Sequence, residues 1–384
     1  MKLAFLQYGD FANDHQRLTS GGAETYRDQR ASVEYIADLA DRFDVSVVSI
    51  GKTSEALLKD NLRSVGITNA EAYNGRAVEL LSNIRPDMLI CRTPHLEALK
   101  WAARTGTSTL PNFADIFRGG GLKGWAKNWR FRRLMSAPVF PCVSNHSLNA
   151  SRSLVDVGGL PADKVIPWDW SRLSIRKTAR PAVADPFAPT FFFAGGLEES
   201  KGVGDCLDAI AKLHGSVSSA TMAFAGPGDL DIWRARAEAL GLGQAITFLG
   251  RLPHDDVRQR MEAADGVIVP SRHSYGEGLP NTIYEALAAC TPLIISDHPA
   301  FEGRLQPEET CLMFRAGDSD DLAAAMRRIA NDPVLAARLT ASAPVAHDSL
   351  YIGMEWTALM DAYLSDPQNQ TGWVQQNSMT ALGL

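Results

Sequence analysis

Cysteine is scarce in this chain: five residues (Cys91, Cys142, Cys206, Cys290 and Cys311), odd in number, far apart and in no Cys-x-x-Cys spacing. That pattern argues against a disulfide framework and reads as buried free thiols in a reducing compartment. No apolar run reaches the ~18 residues that a bilayer span requires, and the opening MKLAFLQYGD turns polar too soon for a signal peptide, so a cytoplasmic protein is expected. No excess of positive charge is present either. A formal charge of −6 with 21% charged residues argues against general nucleic-acid binding. There is no internal repeat of solenoid period. What the chain does have is length: 384 residues with 45% apolar content exceed what one core usually supports, and two domains are expected.

The most informative stretch runs from Val267 to Ile295, VIVPSRHSYGEGLPNTIYEALAACTPLII. The run Gly266 to Pro270 is short, β-branched and stopped by proline, which suits a buried parallel strand. A loop follows, and Pro280 sits where a helix should begin, a position that tolerates its missing N–H. Asn281 to Ala289 continue as helix, and TPLII returns as strand. Glu277 and Glu285 bracket that helix start, with Glu285 about five residues in, or roughly 7.5 Å along the axis. Between them, unpaired N–H groups and the positive end of the macrodipole make an anion site. Carboxylates at both flanks accept from hydroxyls. The arrangement fits a ligand built as sugar, phosphate and ribose.

These residues, an acid pair with seven residues between inside EGLPNTIYEALA and followed by TPLIISD, resemble the retaining glycosyltransferases of family 4. The resemblance covers nearly the whole chain and is strongest from Thr190 to Phe314. It implies an α/β protein of GT-B fold, two Rossmann-like domains facing a central cleft. The expected division is an acceptor-side domain at 1–167, a proline-rich linker at 168–189, a nucleotide-sugar domain at 190–346, and a crossover helix and tail at 347–384 returning to the first domain.

In the first half, runs at Leu3–Tyr8, Val45–Ile50, Met88–Cys91, Thr107–Leu110, Pro138–Val143 and Val165–Pro167 read as strands. Helices are expected at Ala23–Phe43, Glu55–Arg63, Arg76–Ile84 and Leu96–Arg104, an alternation that gives a parallel sheet. Gly21 and Gly22, in TSGGAE, are read as preceding a helix N-terminus, where missing Cβ atoms let backbone approach a ligand. An ordinary strand-to-helix turn explains them equally well. The resemblance places a glycine-rich loop here that faces the donor diphosphate and the acceptor. It also places a histidine near PNFADIF that touches the transferred sugar; Asn112 and Asp115 are the candidates, each equally explicable as an ordinary loop residue.

Arg118 to Met135, RGGGLKGWAKNWRFRRLM, holds six basic residues and no acid. Leu122, Trp125, Ala126 and Trp129 fall on one helical face, and Lys123, Lys127 and Arg130 on another. Such helices lie in membrane interfaces, while the plain alternative is a lid whose tryptophans pack on the sheet.

In the second half, TFFFA at 190–194 reads as strand and is followed by GGLEESKG. Lys201 opens the next helix and is able to reach a phosphate, although a lysine there is more often simply solvated. The resemblance implies glycine, arginine and then lysine holding a diphosphate. Gly195 and Lys201 match, but Gly196 occupies the arginine position, with Arg272 or His273 as substitutes. Arg251 and Leu252, after the strand Ile246–Leu249, are implied neighbours of the base. Gly278, Leu279, Asn281 and Thr282 are the local donors, because Pro280 has no N–H.

The resemblance assigns Glu277 to sugar hydroxyls near the reacting carbon, Glu285 to the ribose, and Lys201 with the helix terminus to the diphosphate. It implies a retaining transferase with no cofactor, using a UDP- or GDP-type sugar as donor and a saccharide or lipid-linked saccharide as acceptor. Metal independence is expected because no Asp-x-Asp motif stands in a plausible loop; DSDD at 318–321 reads as a helix start. The expected location is cytoplasmic or peripheral on the inner face of the cell membrane, through Arg118–Met135. Two other readings stand beside it: a nucleotide-sugar 2-epimerase of the same fold, and a non-catalytic nucleotide-sugar-binding protein suggested by Gly196.

Overall fold

The short buried runs form strands because both of their faces are covered, so continuous apolar sequence replaces alternation. The computed structural model describes residues 1–177, 188–215, 217, 219–276 and 278–383, with the backbone alone for Leu122 and Lys123. It divides into two units. The first is Met1–Glu24, Asp28–Ser171 and Ile352–Leu384, and the second is Thr25–Arg27 with Arg172–Tyr351.

The first unit holds β1 (Lys2–Tyr8), β2 (Asp44–Ile50), β3 (Glu55–Lys59), β4 (Leu62–Ile67), β5 (Met88–Cys91), β6 (Ser108–Phe113), β7 (Val143–His146) and β8 (Val165–Trp168). Its sheet runs β3-β4-β2-β1-β5-β6-β7-β8, with β3 antiparallel to β4 and the other pairs parallel. The second unit holds β9 (Thr190–Ala194), β10 (Thr221–Ala225), β11 (Ile246–Gly250), β12 (Gly266–Val269), β13 (Leu293–Ser296) and β14 (Leu312–Phe314). These run β11-β10-β9-β12-β13-β14, all parallel. In both sheets the first strand lies between the second and a later one, so strand order reverses there. Open α/β sheets bind ligands outside the carboxyl ends of the strands at such a point.

Phe191, Phe193, Phe224, Ile268 and Ile294 centre the core of the second unit. In the first, Leu3, Phe5, Val45, Val47 and Ile90 pack with Trp356, Leu359 and Tyr363, which the chain supplies after re-entering this unit at Ile352.

Five expectations are corrected. The strand expected at Pro138–Val143 is instead β7, Val143–His146, because Pro138 and Pro141 have no N–H to give to a ladder. Glu55 to Arg63 is not a helix but most of the β3–β4 hairpin, turned at Asp60 and Asn61. Its residues favour helix singly, but edge pairing to β2 overrides propensity. A helix at Phe11–Thr19, capped by Asp10 and burying Phe11, Ala12, His15 and Leu18, was not anticipated. Gly21 and Gly22 therefore close a helix C-terminus: their N–H groups reach Leu18 and Arg17 carbonyls at 3.2 and 2.8 Å. A Cβ on Gly22 would lie 2.6 Å from the Arg17 carbonyl oxygen. Of the helix expected at Ala23–Phe43, only Gln29–Asp38 is α-helical. Finally, one helix from His347 to Leu364 is instead two, Pro333–Leu350 and Trp356–Ser365.

The basic segment forms the helix Gly121–Met135. It buries Phe131 and Met135, while Trp125 and Trp129 are 68% and 49% exposed, so the tryptophans do not pack on the sheet. The Leu122 and Lys123 side chains lie outside what is described.

Candidate functional site

Three strand-to-loop exits and one helix start meet in the second unit around a cavity of about 270 Å³. Gly195 and Gly196 follow β9, Gly226 and Pro227 follow β10, and Arg251 and Leu252 follow β11. Asn281, Thr282 and Glu285 come from the helix Asn281–Ala288, and Thr25 and Tyr26 complete the lining with His254 and Val257.

Backbone geometry holds the exits together. The Gly195 N–H donates to the Ala225 carbonyl at 2.9 Å, and the Gly226 N–H to the Gly250 carbonyl at 2.8 Å. Gly226 has φ +148, and a Cβ there would sit 1.8 Å from the Gly195 carbonyl oxygen. No side chain fits that position. The Thr282 Oγ1 donates to the Ala194 carbonyl at 3.1 Å, tying the helix start to the end of β9. Pro280 is the N-cap, in extended conformation and without a side-chain cap. The first amides of a helix lack intrahelical acceptors, so this terminus presents donors and a positive dipole end to the cavity.

Glu285 lies on the second turn and is 5% exposed. His254, itself buried at the start of the helix His254–Ala263, donates from Nε2 to Glu285 Oε1 at 2.9 Å. A charge-assisted hydrogen bond between two buried side chains fixes the carboxylate in one orientation.

Seven of the expected residues line this one cavity: Gly195, Gly196, Arg251, Leu252, Asn281, Thr282 and Glu285. Others lie elsewhere. Lys201 closes a short 3₁₀ turn and holds its ammonium 4.2 Å from the Tyr275 ring centroid. Gly202 follows at φ +77, where a Cβ would meet the Pro270 carbonyl oxygen at 2.2 Å. Gly278 and Leu279 are buried and outside the lining. Glu277 lies outside the described residues.

Gly196 has room for a side chain, since a Cβ would meet only the Glu198 carboxylate, at 3.5 Å. The residues considered as substitute cations are engaged. Arg272 makes a bidentate pair with Asp205 at 2.8 and 2.6 Å and reaches Glu199 at 2.7 Å. His273 donates to Asp297 at 2.8 Å. Burial would push the Asp297 carboxyl up, but bonds from the Ala316 N–H and His273 hold it below the usual carboxylate range.

In the first unit, Asn112 is 2% exposed, donating to Ser144 Oγ at 2.9 Å and accepting from Trp356 Nε1 at 3.1 Å. Its amide is thus occupied in the core. Asp115 is partly buried, and burial pushes its carboxyl up. Gly21 and Gly22 do not line the cavity; Thr25 and Tyr26, four residues later, do.

Sequence reasoning missed His254, Gly226, Thr25 and Tyr26. The GPG at 226–228 was a visible signal, since paired glycines after a strand mark close backbone approach. His254 carried none: its partner is 31 residues away. Among the described residues there is no group of three or more His, Cys, Asp or Glu placed to hold a metal, and no helix is long and apolar enough to cross a membrane.

Residues 176–345 match the family described as glycosyl transferases group 1. The lipopolysaccharide core biosynthesis glycosyltransferase LpsE of Rhizobium meliloti is 30% identical over 282 residues, which are 73% of this chain and 75% of that protein. A glycogen synthase of Mycobacterium tuberculosis is 29% identical over 178 residues, 45% of this chain and only 42% of the relative's length. A phosphatidyl-myo-inositol mannosyltransferase of Mycobacterium leprae is likewise matched over 40% of its length, at 32% identity and 40% of this chain. Among solved structures, sucrose-phosphate synthase of Thermosynechococcus elongatus has a TM-score of 0.67 at 17% identity, covering 95% of this chain and 98% of that one. Anabaena HepE in complex with UDP and glucose has a TM-score of 0.65 at 16% identity, covering 95% and 99%. At these identities the two structures establish the GT-B fold alone.

Proposed function

The chain belongs to the glycosyl transferases group 1 family, and from that premise we propose that it is a retaining, metal-independent glycosyltransferase whose second unit binds a nucleoside-diphosphate sugar in the cavity described above. The observation that carries this reading is Glu285, held by His254 beside an uncapped helix N-terminus at the point where strand order reverses. A helix terminus favours the diphosphate, and a fixed carboxylate beside it suits the ribose hydroxyls. Arg251 and Leu252 then stand where the base lies. HepE, crystallised with UDP-glucose, lends UDP as the first base to try.

In this reading Glu277 accepts from hydroxyls of the transferred sugar, and Lys201, outside the cavity lining, reaches the diphosphate only by leaving the Tyr275 ring. No protein nucleophile is required: the departing phosphate oxygen takes the proton of the acceptor hydroxyl as the anomeric carbon leaves phosphate and bonds the acceptor oxygen. The acceptor is a saccharide or lipid-linked saccharide, in polysaccharide or glycoconjugate synthesis. The exposed Trp125 and Trp129 on a basic helix support contact with the cytoplasmic membrane face.

A second reading, nucleotide-sugar binding without turnover, is favoured by Gly196 and by the engagement of Arg272 with Asp205 and Glu199. Thermal shift with UDP, GDP and ADP and their glucose conjugates, followed by assay of released nucleotide with added EDTA, separates the two. Stabilisation by one diphosphate with metal-insensitive release supports the transferase. Stabilisation without release, given acceptor saccharides, supports the binder.

A further inference from the structure

No step of the proposed donor chemistry uses Arg27, a cation that is 0% exposed. Its segment, Thr25–Arg27, belongs to the second unit, although the rest of that unit begins only at Arg172. Thr25 and Tyr26 line the cavity, and Tyr26 is 47% exposed. One side chain of the segment is thus rooted in the unit, while the two residues before it face the space a ligand occupies.

The root is set by distances. The Arg27 guanidinium carbon lies 4.6 Å from the Tyr284 ring centroid and 5.3 Å from that of Tyr351. These two rings meet edge to face, with centroids 5.3 Å apart and 66° between planes. Arg27 Nη2 donates to the Tyr351 hydroxyl at 3.0 Å. That hydroxyl also accepts from the Leu173 N–H at 2.9 Å, which leaves its proton for His347 Nε2 at 3.2 Å. Tyr351 follows the helix Pro333–Leu350. Tyr284 is 0% exposed and precedes Glu285 on the helix Asn281–Ala288, so Arg27 stacks on the helix that frames the cavity.

A charge taken out of water is a poor source of stability, and a well-packed apolar side chain often does as well. What a guanidinium adds is direction, because its plane must meet the rings while an N–H meets one hydroxyl. The backbone that carries it, and the residues just before it, are placed by the same constraint.

We infer that Arg27 is a positioning residue of the donor cavity: its side chain pins Thr25 and Tyr26 as a wall of that cavity, and the Tyr26 side chain touches the bound nucleoside diphosphate. The inference rests on the donor reading under Proposed function. An aromatic wall beside a few placed polar groups is the usual make-up of a small-molecule site.

The test is calorimetric titration with UDP, GDP and ADP, with a thermal melt of each protein, on wild type, Tyr26→Ala, Arg27→Ala, Arg27→Lys and the double variant Tyr26→Ala/Arg27→Ala. The diphosphate that binds wild type is expected to bind Tyr26→Ala about fivefold more weakly at an unchanged melting temperature. Arg27→Ala should lose as much, and Arg27→Lys, which keeps a cation for the rings, should recover most of the loss. The double variant should bind about as weakly as Tyr26→Ala alone, since residues acting through one wall are not additive. Should Arg27→Ala fail to fold, Arg27→Gln, which keeps an N–H donor without the charge, takes its place in the cycle. Tyr26→Ala binding like wild type overturns the wall and leaves the donor reading standing. Additive losses would route the effect of Arg27 through Tyr284 and the Glu285 helix, and overturn its positioning role. Binding of none of the three diphosphates by wild type overturns the donor reading and the role of Tyr26 with it.

Discussion

Removing the His254 imidazole should weaken nucleotide binding through Glu285 and not directly. Glu285 is 5% exposed, and its Oε1 accepts from His254 at 2.9 Å. A hydrogen bond to a charged group contributes about 1.5–3 kcal/mol. If the carboxylate must hold that orientation to receive ribose hydroxyls, His254→Ala should raise the Kd for the bound diphosphate about tenfold to a hundredfold. His254→Gln restores an amide donor near the same place and should recover most of the loss. Isothermal titration with UDP, GDP and ADP on wild type, His254→Ala, Glu285→Ala and the double variant forms the cycle. Residues acting as one unit are not additive, so the double variant should bind about as weakly as Glu285→Ala alone. Additive losses would show instead that His254 contributes by a route of its own.

Gly196→Arg places a cation where only Glu198 stands within 4 Å of a new Cβ, and if a missing charge limits turnover, nucleotide release should rise about tenfold or more. An unchanged or lower rate at intact stability would show that charge is not what limits the site. Gly226→Ala drives a methyl to 1.8 Å from the Gly195 carbonyl; we expect a loss of more than about 2 kcal/mol in urea unfolding, and a smaller loss would mean that the exits of β9 and β10 part easily. His347 is 1% exposed and burial lowers its pKa from 6.5. A folded value below the unfolded one gives stability that is full above pH 6.5 and is lost as pH falls through the folded value. Wild type should therefore lose stability as pH falls below 6.5 more steeply than His347→Leu, and parallel curves would remove His347 as the cause.

What the sequence disclosed follows from how local each feature is. The strand Gly266–Val269, the helix Asn281–Ala288 and the strand Leu293–Ser296 were legible because a β-branched run, a proline and good helix formers act within a few residues. The start of the helix Ser319–Asn331 was legible for the same reason, in the DSDD run at 318–321, and Asp318 accepts from the Asp320 and Asp321 N–H groups as its N-cap. The segment Glu55–Ile67 was not, because its residues favour helix singly and become strand only by pairing with a distant edge. Phe11–Thr19 carried a local signal in its cap Asp10 and in the spacing of Phe11, His15 and Leu18, beside the two glycines that follow it. Within the candidate site, Glu285 and the helix start are local, whereas His254 is brought to Glu285 by folding alone. Which side of the Gly121–Met135 helix is exposed was not legible, because periodicity names two faces without saying which one the sheet takes.

Central to the proposed function is the binding of a sugar donor's diphosphate in the cavity between the exits of β9, β10 and β11 and the Asn281–Ala288 helix. Calorimetric titration of wild type and Glu285→Ala with UDP, GDP and ADP tests it most directly. One diphosphate is expected to bind wild type, and Glu285→Ala to bind it at least about tenfold more weakly at unchanged thermal stability. Binding of none of the three, or equal binding by both proteins, would contradict it.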